Sequence, residues 1–470
     1  MSEAASEIAP TGAPPAPAPH LGPLRKLVFG LGDHTVNLSL SALSLLFFYF
    51  LTDVAGLRPA LASAVVWGAR IVDAITDPLV GRYSDSRTWR SGRRRPFFLI
   101  GMLPFAVCFA LVWRTPFASQ GAMFAYYLAV YVALSLATTI LSVPYLALLP
   151  EMARDYDERT SLNAFRAGCA VVGTIFAMGM RVLADAWGSD ADAYAAAGAL
   201  FGVWLLLPWL AVHRVSFERP GAPRRVSPPL REGLRQLRSH RNFVRLCALF
   251  IAARIAVDLA GASLAYYTAS WLREEQMTFA FYILTLLVSS IAALPLWLRF
   301  ATRFDKHRLF AFGAGWWALL LVPMFLFVGP GTPRAAVYAL IALIGIGYCA
   351  ADLMPWAMIG EVIDEDELAT GQRREGVYNG VFTFLRKIGG ATGVLLMGLA
   401  FELTGYVARQ PEQPESALLA IRVAATLAPA FFLAVAIAIA SRYALSREAH
   451  AQVRAALDGA ARSASPDAGR

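Results

Sequence analysis

A chain of 470 residues with 57% hydrophobic and only 16% charged residues lacks the polar surface of a water-soluble protein, in which about a quarter of residues are charged. The net charge of +9 does not indicate nucleic acid, because the basic residues fall mainly between long apolar runs. Four cysteines (Cys108, Cys169, Cys247, Cys349) lie inside those runs without CxxC spacing, which argues against a disulfide framework or a metal site.

Residues 1–24 are rich in Ala and Pro, carry Glu3 and Glu7, and lack the apolar stretch of a signal peptide. They read as a disordered cytoplasmic tail. Apolar segments follow at about 27–51, 59–84, 96–114, 121–149, 161–184 and 194–213. A basic linker at 214–241 holds eight arginines interleaved with four prolines. Six further segments lie at about 242–271, 277–300, 308–329, 334–360, 377–405 and 417–442, and 446–470 reads as a second cytoplasmic tail. The fold class expected is an all-α membrane protein of twelve transmembrane helices. Six-helix bundles at 25–213 and 242–445 make up its two halves.

Lys and Arg crowd alternate loops, at Arg87 to Arg95, Arg154 and Arg159, the linker, Arg303 to Arg308, and Arg373 and Arg374. The positive-inside bias places these loops and both termini in the cytoplasm, as an even number of spans requires. Between the second and third segments, Gly81-Arg82-Tyr83-Ser84-Asp85 precedes Gly92-Arg93-Arg94-Arg95. An aspartate facing arginines there forms a candidate latch. The stretch resembles the signature loop of the major facilitator superfamily in a loosened form. Asp85, Arg93 and Arg94, with Glu361 and Asp364 at the end of the tenth segment, form the expected gating set. Plain orienting charge is the alternative.

The most informative residues are acids at membrane depth. Asp73 and Asp77 share one helix face in the second segment, with Thr76 between them. Charges at that depth cost a few kcal/mol each unless they face an interior, and two converging carboxylates describe a small site of hard oxygen ligands for a cation. An ion pair between Arg70 and Asp73 is the structural alternative. Lys387, about ten residues into the eleventh segment, lies too deep to snorkel and needs an anion, either these acids or Asp352 or Glu361. Arg254 and Asp258 form an i,i+4 pair expected to neutralise itself within one helix. His34 beside Asp33 is either a proton relay or a packed residue.

Several of these stretches together resemble the glycoside–pentoside–hexuronide:cation symporter family, whose type member is melibiose permease. They are Gly32-Asp33, Asp53 to Leu57, Asp73 to Gly81, Gly92 to Pro96, Val143-Pro144-Tyr145, Glu158 to Arg166, Pro355-Trp356 to Asp364, and Arg374 to Lys387. The likeness covers almost all of residues 25–445. It implies that Asp73, Thr76, Asp77 and Thr139 take the coupling sodium or proton, that Asp33 and Arg166 face the substrate, and that Lys387 links the two sites. Thr383 lies one turn before Lys387.

The chain also departs from the sugar-binding members. Ser142 stands where they carry an aspartate, Leu146 replaces a tryptophan, and Asp352 replaces another, with Trp356 one turn away. These changes remove the usual means of holding a pyranose. The Pro355-Trp356 and Val143-Pro144-Tyr145 motifs and the apolar Leu146 are similar to the sodium-coupled lysophosphatidylcholine symporters of the same family. The expected substrate-facing set is therefore Asp33, Asn37, Ser142, Tyr145, Leu146, Arg166, Asp352, Trp356, Thr383 and Lys387.

The expectation is a symporter of the plasma (inner) membrane, not an enzyme, with Na+ or H+ as coupling ion and no cofactor. Its partners are a small solute, the cation and the bilayer, with no nucleic acid, and it is expected as a monomer. The solute is a sugar or glycoside by family, with a lysophospholipid or other amphipath as the alternative. A membrane-embedded transferase is disfavoured, since none of the six histidines sits in a catalytic spacing.

Overall fold

The computed structural model describes residues 21–86, 89, 92–153, 156–218, 240–274, 276–372, 374–408, 410 and 412–463. The tail through residue 20, most of the linker (219–239) and residues 464–470 lie outside that description, as do Arg87, Arg90, Arg154, Arg373 and Arg409 of the loops.

The first half consists of α1 (Pro23–Ala42), α2 (Pro59–Ser86), α3 (Arg95–Val112), α4 (Gln120–Met152), α5 (Tyr156–Trp187) and α6 (Ala191–Val215). The second consists of α7 (Arg241–Tyr266), α8 (Gln276–Ala301), α9 (Lys306–Phe327), α10 (Arg334–Thr370), α11 (Glu375–Leu403) and α12 (Glu415–Ala440, broken at Thr426). Among the described residues ten of these helices, all but α1 and α7, are long and apolar enough to cross a membrane. The protein is an integral, multi-pass membrane protein.

α1 continues through π-helical turns at Leu43–Phe47 and Phe50–Val54. α7 carries Arg241, Arg245, Arg254 and Asp258 and continues through a π-helical turn at Tyr267–Trp271. For these two elements the twelve-span expectation rests on continuity through those turns.

Local chemistry sets the helix ends. Ser119 and Asp190 accept hydrogen bonds from the backbone N–H groups of Ala122 and Ala193 and so cap α4 and α6. Gly371, in the left-handed region at φ 67°, ends α10. That end lies ten residues beyond the apolar run, so Glu361 and Asp364 are helical. The segment from 446 is not simply a tail. Its Ala-rich sequence forms α13 (Arg447–Ser463), whose His450 and Arg454 reach Asp364 on α10 at 3.0 and 3.6 Å.

In the first half, α1 packs on α5 and α6, α3 on α4 and α6, and α2 on α4. In the second, α7 packs on α11, α12 and α10, and α10 packs on α8 and α9. The halves meet chiefly where α2 runs along α11. Both described chain ends lie on one side, here the termini face; the α1–α2, α7–α8 and α11–α12 loops mark the far face.

Small residues set how closely the helices approach, as expected where lipid supplies no hydrophobic drive. A Cβ on Gly173 of α5 would overlap the His34 carbonyl oxygen of α1. Gly173→Leu is therefore expected to destabilise the first half by about 1–3 kcal/mol, read as a lower unfolding temperature of the purified protein in detergent.

Candidate functional site

Asp73 and Asp77 do share a face of α2, and they meet α4 and α11 at mid-depth. The Lys387 ammonium lies 2.7 Å from Asp73 Oδ2 and 2.6 Å from Asp77 Oδ2. On the other side, Thr139 Oγ1 lies 3.2 Å from Asp73 Oδ1 and 2.8 Å from Asp77 Oδ1. Its single proton serves one carboxylate at a time. The hydroxyl between the acids is thus Thr139 rather than Thr76, whose Oγ1 donates to the Asp73 carbonyl 3.1 Å away. An i,i+3 hydroxyl bonds its own turn when the backbone oxygen is nearer than any side chain.

The charge balance is informative. Two carboxylates and one ammonium leave one negative charge at the junction of the halves. Arg70 is near enough to Asp73 to attract it through space but makes no ion pair with it. Its guanidinium lies over the Tyr131 ring, 6.0 Å from the centroid, and 3.4 Å from Ser44 Oγ. Nor does Lys387 pair with Asp352 or Glu361. Those acids bond to Arg254 (2.9 Å) and Lys306 (2.9 Å).

A second cluster lies wholly in the first half. Arg166 on α5 bonds both carboxylate oxygens of Asp33 on α1, and Tyr145 of α4 lies 2.8 Å from Asp33 Oδ2. The Arg166 guanidinium also sits 5.2 Å from the Tyr145 ring centroid, and it donates to Asn163. Asn37 caps this locally by donating to the Asp33 carbonyl. His34 is packed: it is buried, meets Phe176, and lies 3.1 Å from the Trp204 indole nitrogen. Of the two readings of His34, this is the packed one.

The third cluster lies in the second half. Arg254 bonds Asp258 as expected, but it also reaches Asp352 on α10, so the pair is not closed within one helix. α11 comes close enough because it offers Gly390, where a Cβ would overlap Asp258 Oδ2. Trp356 packs edge-on against Phe250 and Phe382, whose rings stack 3.9 Å apart. Ser142 and Thr383 are half-buried, and Leu146, one turn beyond Ser142 on α4, is 52% exposed.

A match to the MFS/sugar transport protein model extends over residues 28–447. The chain belongs to this family. Among its relatives in this family is an uncharacterised symporter of Synechocystis sp., 30% identical, with 91% of this chain and 95% of the relative covered. The putative glycoside/cation symporter YagG of Escherichia coli is 28% identical (90% and 92% covered). The sodium-dependent lysophosphatidylcholine symporter 1-A of Danio rerio is 26% identical (90% and 86%). A bacterial homologue of the lysosomal transporter Spinster, solved in an inward-facing conformation, superposes with a TM-score of 0.67 at 12% identity, covering 93% and 98% of the two chains. That likeness places the chain in the major facilitator fold.

In this MFS transporter four of the expected gating charges, Arg93, Arg94, Glu361 and Asp364, make ion pairs within their own half. Arg93 and Arg94 bond Glu151 of α4 at 2.8 and 2.6 Å, an acid that did not stand out in the sequence because it borders an apolar run. Asp85 sits in the last turn of α2, and its side chain is not among those described. Glu218, in the described start of the linker, accepts the N–H groups of Arg93, Arg94 and Arg95 at 2.7, 2.7 and 3.0 Å, which caps α3.

The halves bond across the far face instead. Thr52 and Tyr266 hydroxyls are 2.6 Å apart, and Tyr406 donates to Asp53 Oδ1 at 2.8 Å. Burial and the Asp53 carboxylate push the Tyr406 hydroxyl up from its ordinary value, so it remains a donor at physiological pH. Thr52 and Asp53 lie on a π-helical turn, and Tyr266 directly precedes one, common features of mobile functional segments. Asp53→Ala with Tyr406→Phe is expected to loosen this closure, read as wider spin-label distances across the far face and faster cysteine labelling at residue 52.

Proposed function

We propose that this protein is a secondary active symporter that couples entry of sodium or a proton to solute uptake by alternating access, with the termini face cytoplasmic. The observation that carries the reading is the single ammonium of Lys387 on one half held by two carboxylates on the other. A cation drawn to the residual negative charge competes with that ammonium for the same oxygens. Cation binding and the α2–α11 contact are therefore linked, which is what coupling requires.

The orientation follows from Arg93, Arg94, Arg95, Arg159, Arg303, Lys306, Arg308 and Arg374, all on the termini face. The far-face bonds support an inward-facing reading of this conformation. Arg93–Glu151, Glu361–Lys306 and Asp364–His450 keep each half rigid as it rocks. The working unit is a monomer containing one such acid–lysine junction between its halves.

The solute is glycoside-like by the kinship with glycoside/cation symporters. A lysolipid is the second reading, favoured by the accessible Leu146 and by Ser142 in place of an acid. The experiment is uptake into proteoliposomes under an imposed sodium or proton gradient, with glycosides, glucuronides and lysophosphatidylcholine offered in parallel. One class should accumulate only with the gradient. Equal uptake with and without it would overturn the symport reading.

A further inference from the structure

Besides Arg70, which packs on the Tyr131 ring, four cationic side chains lie at mid-depth around the cleft between the halves, and three of them are ion-paired. Arg166 is held by both oxygens of Asp33, Arg254 by Asp258 and Asp352, and Lys387 by Asp73 and Asp77. The fourth is Arg386, one residue before Lys387 on α11. It has no hydrogen-bond or ion-pair partner among the described residues, and it is exposed. It lies among the charges of Arg254 and Asp258 on α7 and Asp352 on α10, beside Tyr348.

With charged residues of both α7 and α10 around it, we infer that the accessible side of this guanidinium is the cleft between the halves. The nearby acids do not satisfy it. Both oxygens of Asp258 and Oδ1 of Asp352 are taken by Arg254. The Asp352 side chain itself is 41% accessible, so the cleft reaches this cluster. An unmatched cation at this depth is costly unless it serves a ligand, and a guanidinium fork is shaped for two parallel hydrogen bonds to a planar carboxylate or a phosphate.

We propose that Arg386 receives an oxyanion of the transported solute, a carboxylate or a phosphate, so that the solute's charged group docks in the second half. Arg166 and Lys387, engaged by their own acids, do not supply that contact in this conformation. The inference rests on the transporter reading for its cargo, but its test reads binding alone.

The test is equilibrium binding to the full-length protein purified in detergent. The probes are a phenyl glucuronide against the neutral phenyl glucoside, and lysophosphatidylcholine against a monoacylglycerol of the same chain. One charged probe should bind the wild type. Arg386→Gln should weaken it ten- to a hundred-fold while the neutral counterpart is unaffected, and Arg386→Lys should restore part of the loss. Asp352→Asn, which removes a competing carboxylate, should tighten the charged probe.

The glucuronide arm identifies a carboxylate and the lysolipid arm a phosphate. Undiminished binding of the charged probe in Arg386→Gln overturns the assignment. So does equal loss of charged and neutral probes, or failure of both charged probes to bind the wild type. Arg386-dependent binding without gradient-driven uptake would instead count against symport and leave this assignment standing.

Discussion

Asp73→Asn and Asp77→Asn are each expected to abolish concentrative uptake, bringing the accumulation ratio in proteoliposomes from well above one to about one. The reason lies in the charge balance at the α2–α11 junction. With both acids present, the Lys387 ammonium is 2.7 and 2.6 Å from two carboxylates and one negative charge is left over. With either acid neutral, the remaining carboxylate is satisfied by Lys387 and nothing draws in a second cation. A neutral amide does not offset the desolvation of a bare cation either, which costs several kcal/mol per ion.

Counterflow of solute down its own gradient should persist, because the Asp33–Arg166 cluster and the far-face bonds do not involve these acids. The measurement is uptake with and without the ion gradient, alongside counterflow, for each variant. Gradient-driven accumulation at the wild-type level in the double variant would show that the coupling ion binds elsewhere.

The sequence made the spans and the acid pair legible because both signals are local. Apolar length identifies a membrane helix, and i,i+4 spacing aligns Asp73 with Asp77 whatever surrounds them. The depth of Lys387 in an apolar run likewise demanded an anion, and Asp73 and Asp77 were already candidates. What the sequence did not contain is the rotational phase of one helix against another. Spacing pointed to Thr76, while Thr139 entered only through the family resemblance, and it is the packing of α4 on α2 that turns Thr139 toward the acids while Thr76 bonds its own turn.

The same holds for Arg254. Its i,i+4 partner was visible, but the reach to Asp352 depends on α10 lying against α7. The far-face bonds were harder still. Thr52, Tyr266 and Tyr406 are unremarkable beside apolar residues, and their hydroxyls acquire meaning only when two halves close on each other. Arg386 carries no local signal of its own in the sequence beside its neighbour Lys387. It stands out once the acids that hold Arg166, Arg254 and Lys387 are known.

Lys387→Gln is expected to separate cation binding from solute accumulation. The ammonium occupies the oxygens that a sodium ion would use, so the two compete and the apparent sodium affinity includes the cost of displacing Lys387. Charge-assisted hydrogen bonds are worth about 1.5–3 kcal/mol, so removing the competitor should tighten sodium binding roughly tenfold or more. Gain at the cation site should accompany loss of work. Without the ammonium, sodium binding no longer releases α11 from α2, and accumulation should fall about as far as in the acid variants.

Isothermal titration with sodium on the purified variant, paired with proteoliposome uptake, reads both quantities. Unchanged sodium affinity would mean that Lys387 and the cation do not share ligands. Weakened affinity together with a lower unfolding temperature would mean that Lys387 chiefly holds the acids in place. Tighter sodium binding with lost accumulation is the combination that only competition at Asp73 and Asp77 produces.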